Sequence, residues 1–181
     1  VVTFDPEPTL RLLRDELPDG RFAVEDLGKG FKVDEPFPMG ELAGEVTVVG
    51  FEELCAAPAT RVTLRAPHLG AEDFHRLVDR VGLHGVSYAV GWTAWLDIAP
   101  EGVTKASALE MLRERLQLAP GATVALGDGT NDVEMLQWAA HGVAMGSAVD
   151  PVRAAADAVT DGVEHDGAAV VLRALLPAVS P

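Results

Sequence analysis

A single cysteine, Cys55, stands among 181 residues. No internal disulfide can form, so the oxidised scaffold of a small secreted domain gives way to a reducing, cytoplasmic setting, with the thiol acting as a small hydrophobe. Positive charge is scarce too: 14 Lys and Arg face 28 Asp and Glu, a formal net charge of −14. That balance argues against the basic surface that holds a nucleic-acid backbone or an anionic membrane. The first residues lack a basic start with a long apolar stretch, and no later run approaches the roughly 20 apolar residues that span a bilayer. A soluble protein without nucleic-acid or membrane partners is expected.

Several catalytic signatures are missing as well. His68, His75, His84, His141 and His165 show no metal-ligand spacing with a partner His or Cys, which speaks against zinc. No serine lies in a Gly-x-Ser-x-Gly turn and Cys55 has no histidine near it in sequence, so serine or cysteine hydrolysis has weak support.

What is present divides into two halves. Leu10, Leu13 and Leu17 share a helical face behind Asp5-Pro6 and Glu7-Pro8, which predicts an opening helix. Arg21 to Val49 is turn-rich and extended, with Gly28-Lys29-Gly30 between apolar runs and a β-branched run Glu45 to Val49. Arg61 to Ala66 alternates like a half-buried strand. Phe74, Leu77, Val78 and Val81 follow at helix spacing, and Val86 to Val90 and Trp92 to Ile98 return to strand chemistry around Gly91, where a hairpin fits. Tyr88, Trp92 and Trp95 read as sheet packing, and Lys32 and Arg65 as solvated cations. This first half, residues 1–99, reads as an α+β domain.

After Pro100 the rhythm becomes helix from about Lys105 to Leu116, buried strand Thr123 to Leu126, helix from Asn131, strand Val143 to Met145, helix from Asp150-Pro151, strand Ala158 to Thr160 and an apolar helix Ala168 to Leu176 expected to close against the sheet. Such alternation predicts a parallel α/β layer over residues 100–181. Leu109, Leu112 and Leu116 are the apolar positions of the first of these helices.

Chemistry concentrates where the second half's first strand ends in Gly127-Asp128-Gly129-Thr130-Asn131-Asp132. Open α/β sheets bind ligands at strand carboxyl ends, so the Asp128 carboxylate is well placed for a metal. Asn131 and Asp132 add an amide and a second carboxylate, and hard oxygen ligands suit Mg²⁺. A glycine-rich turn in which Asp128 bonds backbone amides and Asn131 or Asp132 caps a helix fits the short motif equally well. A calcium loop does not: Val133 stands where its glycine belongs, and no closing glutamate follows. Lys105, opening its helix one turn ahead of Leu109, could neutralise a phosphate or a developing phosphoryl charge, although taken alone it reads better as a solvated surface lysine.

Gly102-Val103-Thr104-Lys105-Ala106-Ser107-Ala108-Leu109, then Leu126 to Leu136, Gly142-Val143-Ala144-Met145-Gly146-Ser147-Ala148, Ala156 to Thr160 and Asp166-Gly167 together resemble the Cof-type branch of the haloacid dehalogenase superfamily. The resemblance runs in order from about Asp97 to Leu176, with Ala106 in place of the usual glycine and Ser147 in place of a common asparagine. It implies a partial Rossmann-like core behind a C2-type cap formed by the first half. It further implies Lys105 as the lysine contacting phosphoryl oxygen, Asp128 as the Mg²⁺ ligand, Asp132 assisting the metal or holding Lys105, and Asn131 contacting phosphate.

The family's nucleophile pattern, Asp-x-Asp-Gly-Thr, does not occur in these residues. Val1 is expected to fall where the cap begins, with the first core segment missing. Without an attacking aspartate no phospho-aspartyl intermediate forms, so the isolated chain is expected to be inactive. It is also expected to expose a sheet edge open to self-association. The expected function of the complete protein is Mg²⁺-dependent hydrolysis of a small phosphorylated metabolite such as a sugar phosphate. The alternative is a non-catalytic metabolite-binding or assembly module.

Overall fold

The computed structural model describes residues 1–91 and 93–176; Trp92, assigned above to a strand, lies outside them. The chain divides into two compact units, Val1–Val103 and Thr104–Pro181, against an expected boundary at residues 99 and 100.

The first unit runs α1 (Glu7–Glu16), β1 (Arg21–Asp26), β2 (Gly30–Val33), β3 (Glu45–Val48), α2 (Phe51–Cys55), β4 (Val62–Arg65), α3 (Ala71–Val81), β5 (Val86–Val90) and β6 (Trp95–Pro100). Its six strands lie in the order β3-β2-β1-β4-β6-β5. Only β2 and β3 run parallel; the other pairs are antiparallel. The predicted hairpin around Gly91 joins β5 to β6, with Tyr88 opposite Ile98.

Strand alternation sorts the side chains of this sheet onto two faces. Phe22, Val24, Val62, Leu64, Leu96 and Ile98 form one cluster with Leu10, Leu13, Leu54, Phe74 and Val78 from the three helices. Each such side chain contributes about 1.5–3 kcal/mol on burial. On the other face Ala23, Phe31 and Val33 pack against Phe37 and Leu42, which belong to the segment between β2 and β3. That cover makes β4 buried on both faces, Thr63 included at 0% exposure, where its alternation predicted half-burial. Helix α2 has no counterpart in the sequence reading, because five residues are too few to display a helical period.

The second unit runs α4 (Lys105–Arg115), β7 (Val124–Gly127), a 3₁₀ turn (Thr130–Asp132), α5 (Val133–Trp138), β8 (His141–Ala144), α6 (Asp150–Ala154), β9 (Ala158–Val159) and α7 (Gly167–Leu175). The three strands are parallel, in the order β7-β8-β9, as the βα alternation predicted. Their core is small and alanine-rich: Ala125, Leu136, Ala139, Ala144, Ala148 and Val152.

The apolar faces of two helices stay open, and for the last helix this corrects the expected packing. Helix α4 buries no residue, and Leu112 and Leu116 stay 49% and 57% exposed. Helix α7 forms where predicted but does not close against the sheet, since Leu172, Leu175 and Leu176 are all exposed. Apolar composition records a capacity for burial without naming the surface that supplies it. Among the described residues β7 pairs with β8 alone, which leaves its other edge open.

Candidate functional site

The motif Gly127 to Asp132 is organised by one side chain. Strand β7 ends at Gly127, and the 3₁₀ turn carries Asp132 back beneath that end, where it is 4% exposed. Its Oδ2 accepts the backbone N–H groups of Asp128 and Gly129, each at 3.0 Å. Its Oδ1 accepts the Lys105 ammonium, so a residue 27 positions upstream is tied to the turn. Both carboxylate oxygens are therefore engaged within the second unit.

The two glycines serve this arrangement. A Cβ on Gly127 would stand 2.4 Å from the Asp132 Cβ, and one on Gly129 would stand 2.6 Å from the Asn131 Oδ1. Neither needs a left-handed backbone, for Gly129 has φ −92° and Gly127 is not among the positive-φ residues. Their requirement is room for Asp132 and Asn131 rather than a sharp turn.

Lys105 opens α4 because Thr104 caps it. The Thr104 Oγ1 accepts the Ser107 N–H at 3.2 Å, and the Ser107 Oγ accepts the Thr104 N–H at 2.9 Å, a reciprocal capping pair. The lysine side chain is 49% exposed, so its ammonium meets both Asp132 and solvent. Asp128 is exposed, and among the described residues its carboxylate has no hydrogen bond or ion pair. The same turn thus presents one free carboxylate, one half-exposed ammonium and the Asn131 amide.

These residues fit a hard cation through a single carboxylate. Among the described residues no three His, Cys, Asp or Glu side chains are grouped to enclose a metal. Mg²⁺ keeps several waters and commonly takes only one or two protein carboxylates together with phosphate oxygens. Asp128 can supply one; Asp132, whose oxygens are both occupied, holds the lysine and the turn.

One contact escaped the sequence reading. The Glu110 carboxylate accepts both the Arg113 guanidinium, at 2.7 and 2.6 Å, and the Trp138 Nε1–H at 2.8 Å, joining α4 to α5. The only sequence signal was the i, i+3 spacing of Glu110 and Arg113. Hydrogen bonds from Arg113 first, then Trp138, hold the Glu110 carboxyl down at about 2. A carboxyl depressed in the folded state stabilises it above the ordinary value of 4.5 and loses that contribution as pH falls toward about 2. The difference in urea midpoint between the natural chain and Glu110→Gln is therefore expected to be constant near neutrality and to shrink below pH 4.5.

Other candidates are occupied elsewhere. Trp95 donates to Asp97 at 2.8 Å and meets Phe37 edge-on. Lys32 pairs with Glu53 and Arg65 with Glu41. Burial pushes the Cys55 thiol up, away from the reactive thiolate.

The family model of the haloacid dehalogenase-like hydrolases matches residues 71–172, more than half of the chain. The chain belongs to this family. Among its relatives, a phosphoglycolate phosphatase of Methanopyrus kandleri is 35% identical over 108 residues, 60% of this chain and 47% of its own length. A 5-amino-6-(5-phospho-D-ribitylamino)uracil phosphatase of Bacillus subtilis is 38% identical over 78 residues, 43% of this chain and 31% of its own. The chain thus spans less than half of either phosphatase. The fold agrees: a haloacid dehalogenase-like hydrolase from B. subtilis matches with TM-score 0.76 and 20% identity, over 96% of this chain and 72% of its own. A subclass IIB sugar phosphatase of the superfamily gives TM-score 0.75 and 22% identity, over 93% of this chain and 66% of its own. The haloacid dehalogenase-like hydrolase fold here is mixed α/β, with a parallel sheet and flanking helices. No helix among the described residues is long and apolar enough to cross a membrane.

Proposed function

We propose that these 181 residues carry the metal- and phosphate-holding part of a Mg²⁺-dependent phosphomonoester hydrolase whose substrate is a small phosphorylated metabolite such as a sugar phosphate. The observation that carries this reading is the Asp132 carboxylate, which joins the Lys105 ammonium to the turn bearing Asp128. Lys105 neutralises phosphoryl oxygen, Asn131 offers its amide to phosphate, and Asp128 is the metal ligand. Asp132 keeps these groups in register. Mg²⁺, when bound, supplies charge neutralisation to the phosphoryl group. The two relatives named for phosphoglycolate and for a phosphoribitylamino-uracil support a small metabolite as substrate.

In this reading the first unit is a C2-type cap, the setting is cytoplasmic, and the open edge of β7 is where self-association would occur. The attacking carboxylate is absent from these residues, since no Asp-x-Asp-Gly-Thr occurs. The chain by itself is therefore inactive.

The test is Mg²⁺-dependent phosphate release from an aryl phosphate. The 181 residues alone are expected to give none. A chain extended ahead of Val1 by an Asp-x-Asp-Gly-Thr strand is expected to turn over, with Asp128→Ala lowering kcat by about 10²–10³-fold, the scale for losing one electrostatic stabiliser. Turnover by the 181 residues themselves, lost in Asp128→Ala, would overturn the assignment of the nucleophile.

A further inference from the structure

Strands β2 and β3 run parallel, so residues 34–44 carry the chain from the end of one to the start of the other. Such a crossover is commonly a helix of about a dozen residues or more; this one has no regular structure. It lies on the sheet face away from the helices, where Phe37 and Leu42 meet Ala23, Phe31 and Val33. Its ends are fixed. Asp34 donates its N–H to the Phe22 carbonyl at 3.1 Å and accepts the Phe22 N–H on Oδ1 at 2.7 Å, and the Glu45 N–H donates to the Lys29 carbonyl at 3.0 Å. Between those anchors, among the described residues, no backbone hydrogen bond joins residues 35–44 to another element. The bond from the Glu41 N–H to the Pro38 carbonyl is internal.

Side chains hold this strap instead. Arg65 donates to the Glu41 carboxylate at 3.2 and 3.3 Å, in a pair whose side chains are 14% and 28% exposed and which salt screens weakly. Arg21 donates to the Pro36 carbonyl at 2.6 Å, and Phe37 meets Trp95 edge-on at 5.9 Å. Gly40 and Gly44 have positive φ, 84° and 85°, a conformation that glycine enters and leaves at little cost. Met39, beside Gly40, is fully exposed. A segment held by side chains without a backbone ladder belongs to the low-stability end of a structure.

The surface beneath the strap has the chemistry of a face that meets water. Register places Arg21, Thr63, Arg65, Trp95 and Asp97 on it, whereas the helix-covered face offers Phe22, Val62, Leu64, Leu96 and Ile98. The Asp97 carboxylate accepts the Thr63 hydroxyl and the Trp95 Nε1–H, each at 2.8 Å, so these groups stay satisfied whether the strap is down or lifted.

We infer that residues 35–43 form a releasable cover on the first unit's sheet, latched by Glu41 on Arg65 and hinged at Gly44. Lifting it bares the polar row and frees the Arg21 and Arg65 guanidiniums while the helix-side core stays packed. The device needs nothing from the second unit and operates whatever the turn at Asp128 binds.

The test is thiol labelling of Val33→Cys in the 181-residue chain, with the reacted site identified by peptide mass spectrometry. Val33 is 0% exposed and packs beneath the cover, and the native Cys55 lies in the helix-side core, so the two thiols report opposite faces of one sheet. The new thiol is expected to react faster than global unfolding allows and at a rate that is flat at low urea, because lifting the strap exposes little surface. Glu41→Gln, added to it, should raise that rate about fivefold, the step from a charge-assisted to a neutral hydrogen bond, and keep it flat. Ala23→Cys, on the same face and equally buried, replaces the reporter if Val33→Cys does not fold. Labelling that climbs with urea at the slope of global unfolding overturns the cover, and a rate that Glu41→Gln leaves unchanged overturns the latch.

Discussion

Asp132→Ala is expected to lower the stability of the second unit by about 2–4 kcal/mol, given hydrogen bonds to a charged acceptor of about 1.5–3 kcal/mol each. The substitution removes the acceptor of two backbone N–H groups, those of Asp128 and Gly129, and of the Lys105 ammonium. The lysine contributes least, since its half-exposed ammonium returns to water. The amides do so less readily, because their hydrogen bonds to the carboxylate are part-buried. Asp132→Asn retains a single acceptor oxygen and should fall between the two. Urea unfolding at pH 7 measures the series. A loss under about 0.5 kcal/mol in Asp132→Ala, the size of an ordinary surface substitution, would show that the carboxylate does not organise the turn.

Gly127→Ala is expected to cost at least as much. The new Cβ would stand 2.4 Å from the Asp132 Cβ, 2.7 Å from its Cγ and 2.8 Å from its Oδ2. Asp132 is buried and held from both oxygens, so it cannot give way without breaking those bonds. Overpacking alone costs about 1–3 kcal/mol; with the displaced carboxylate the total reaches about 3 kcal/mol or more. Gly121→Ala is the control, because a Cβ there meets nothing within 4 Å and its φ is not positive. It should be neutral or slightly stabilising in the same urea series.

The parts of the fold that were legible in sequence are those where one local pattern decides the outcome. Leu10 and Leu13, three apart, are both fully buried, and the alternation of β and α elements after Pro100 yields the parallel sheet β7-β8-β9. What was not legible depends on which surface meets which. Thr63 is buried because Phe37 and Leu42, from a segment without regular structure, help cover the second sheet face. Leu112 and Leu172 have the right spacing and composition for a core and remain exposed. The site divides the same way. Asp128 at a strand end followed from β7 running into a glycine turn. The tie from Lys105 to Asp132 crosses 27 positions that no spacing rule connects, and only the family resemblance put both residues in one site. Trp138 read as one more aromatic, yet with Glu110 it fastens α5 to the helix that starts at Lys105.

The asymmetry of the two units follows from their cores. In the first, three helices share a cluster that includes Phe22, Phe74, five fully buried leucine or isoleucine side chains, Leu10, Leu13, Leu64, Leu96 and Ile98, and the nearly buried Leu54. In the second, the cluster is mostly alanine. Burial at about 25 cal/mol per Å² favours the larger side chains, so the polar tie at Asp132 and the Glu110 contact carry a larger share of what holds the second unit in shape.

The claim at the centre of this account is that Lys105 and Asp128 collect phosphate and Mg²⁺ in one turn. It is tested most directly by titrating inorganic phosphate into the 181-residue chain, with and without Mg²⁺, and reading the amide signals of Asp128 to Asp132. Saturable shifts that tighten with Mg²⁺ are expected. Lys105→Met should weaken them about tenfold, equivalent to about 1.4 kcal/mol, and Asp128→Asn should remove the dependence on Mg²⁺ while leaving phosphate binding. Titrations that neither Mg²⁺ nor either substitution alters would contradict it.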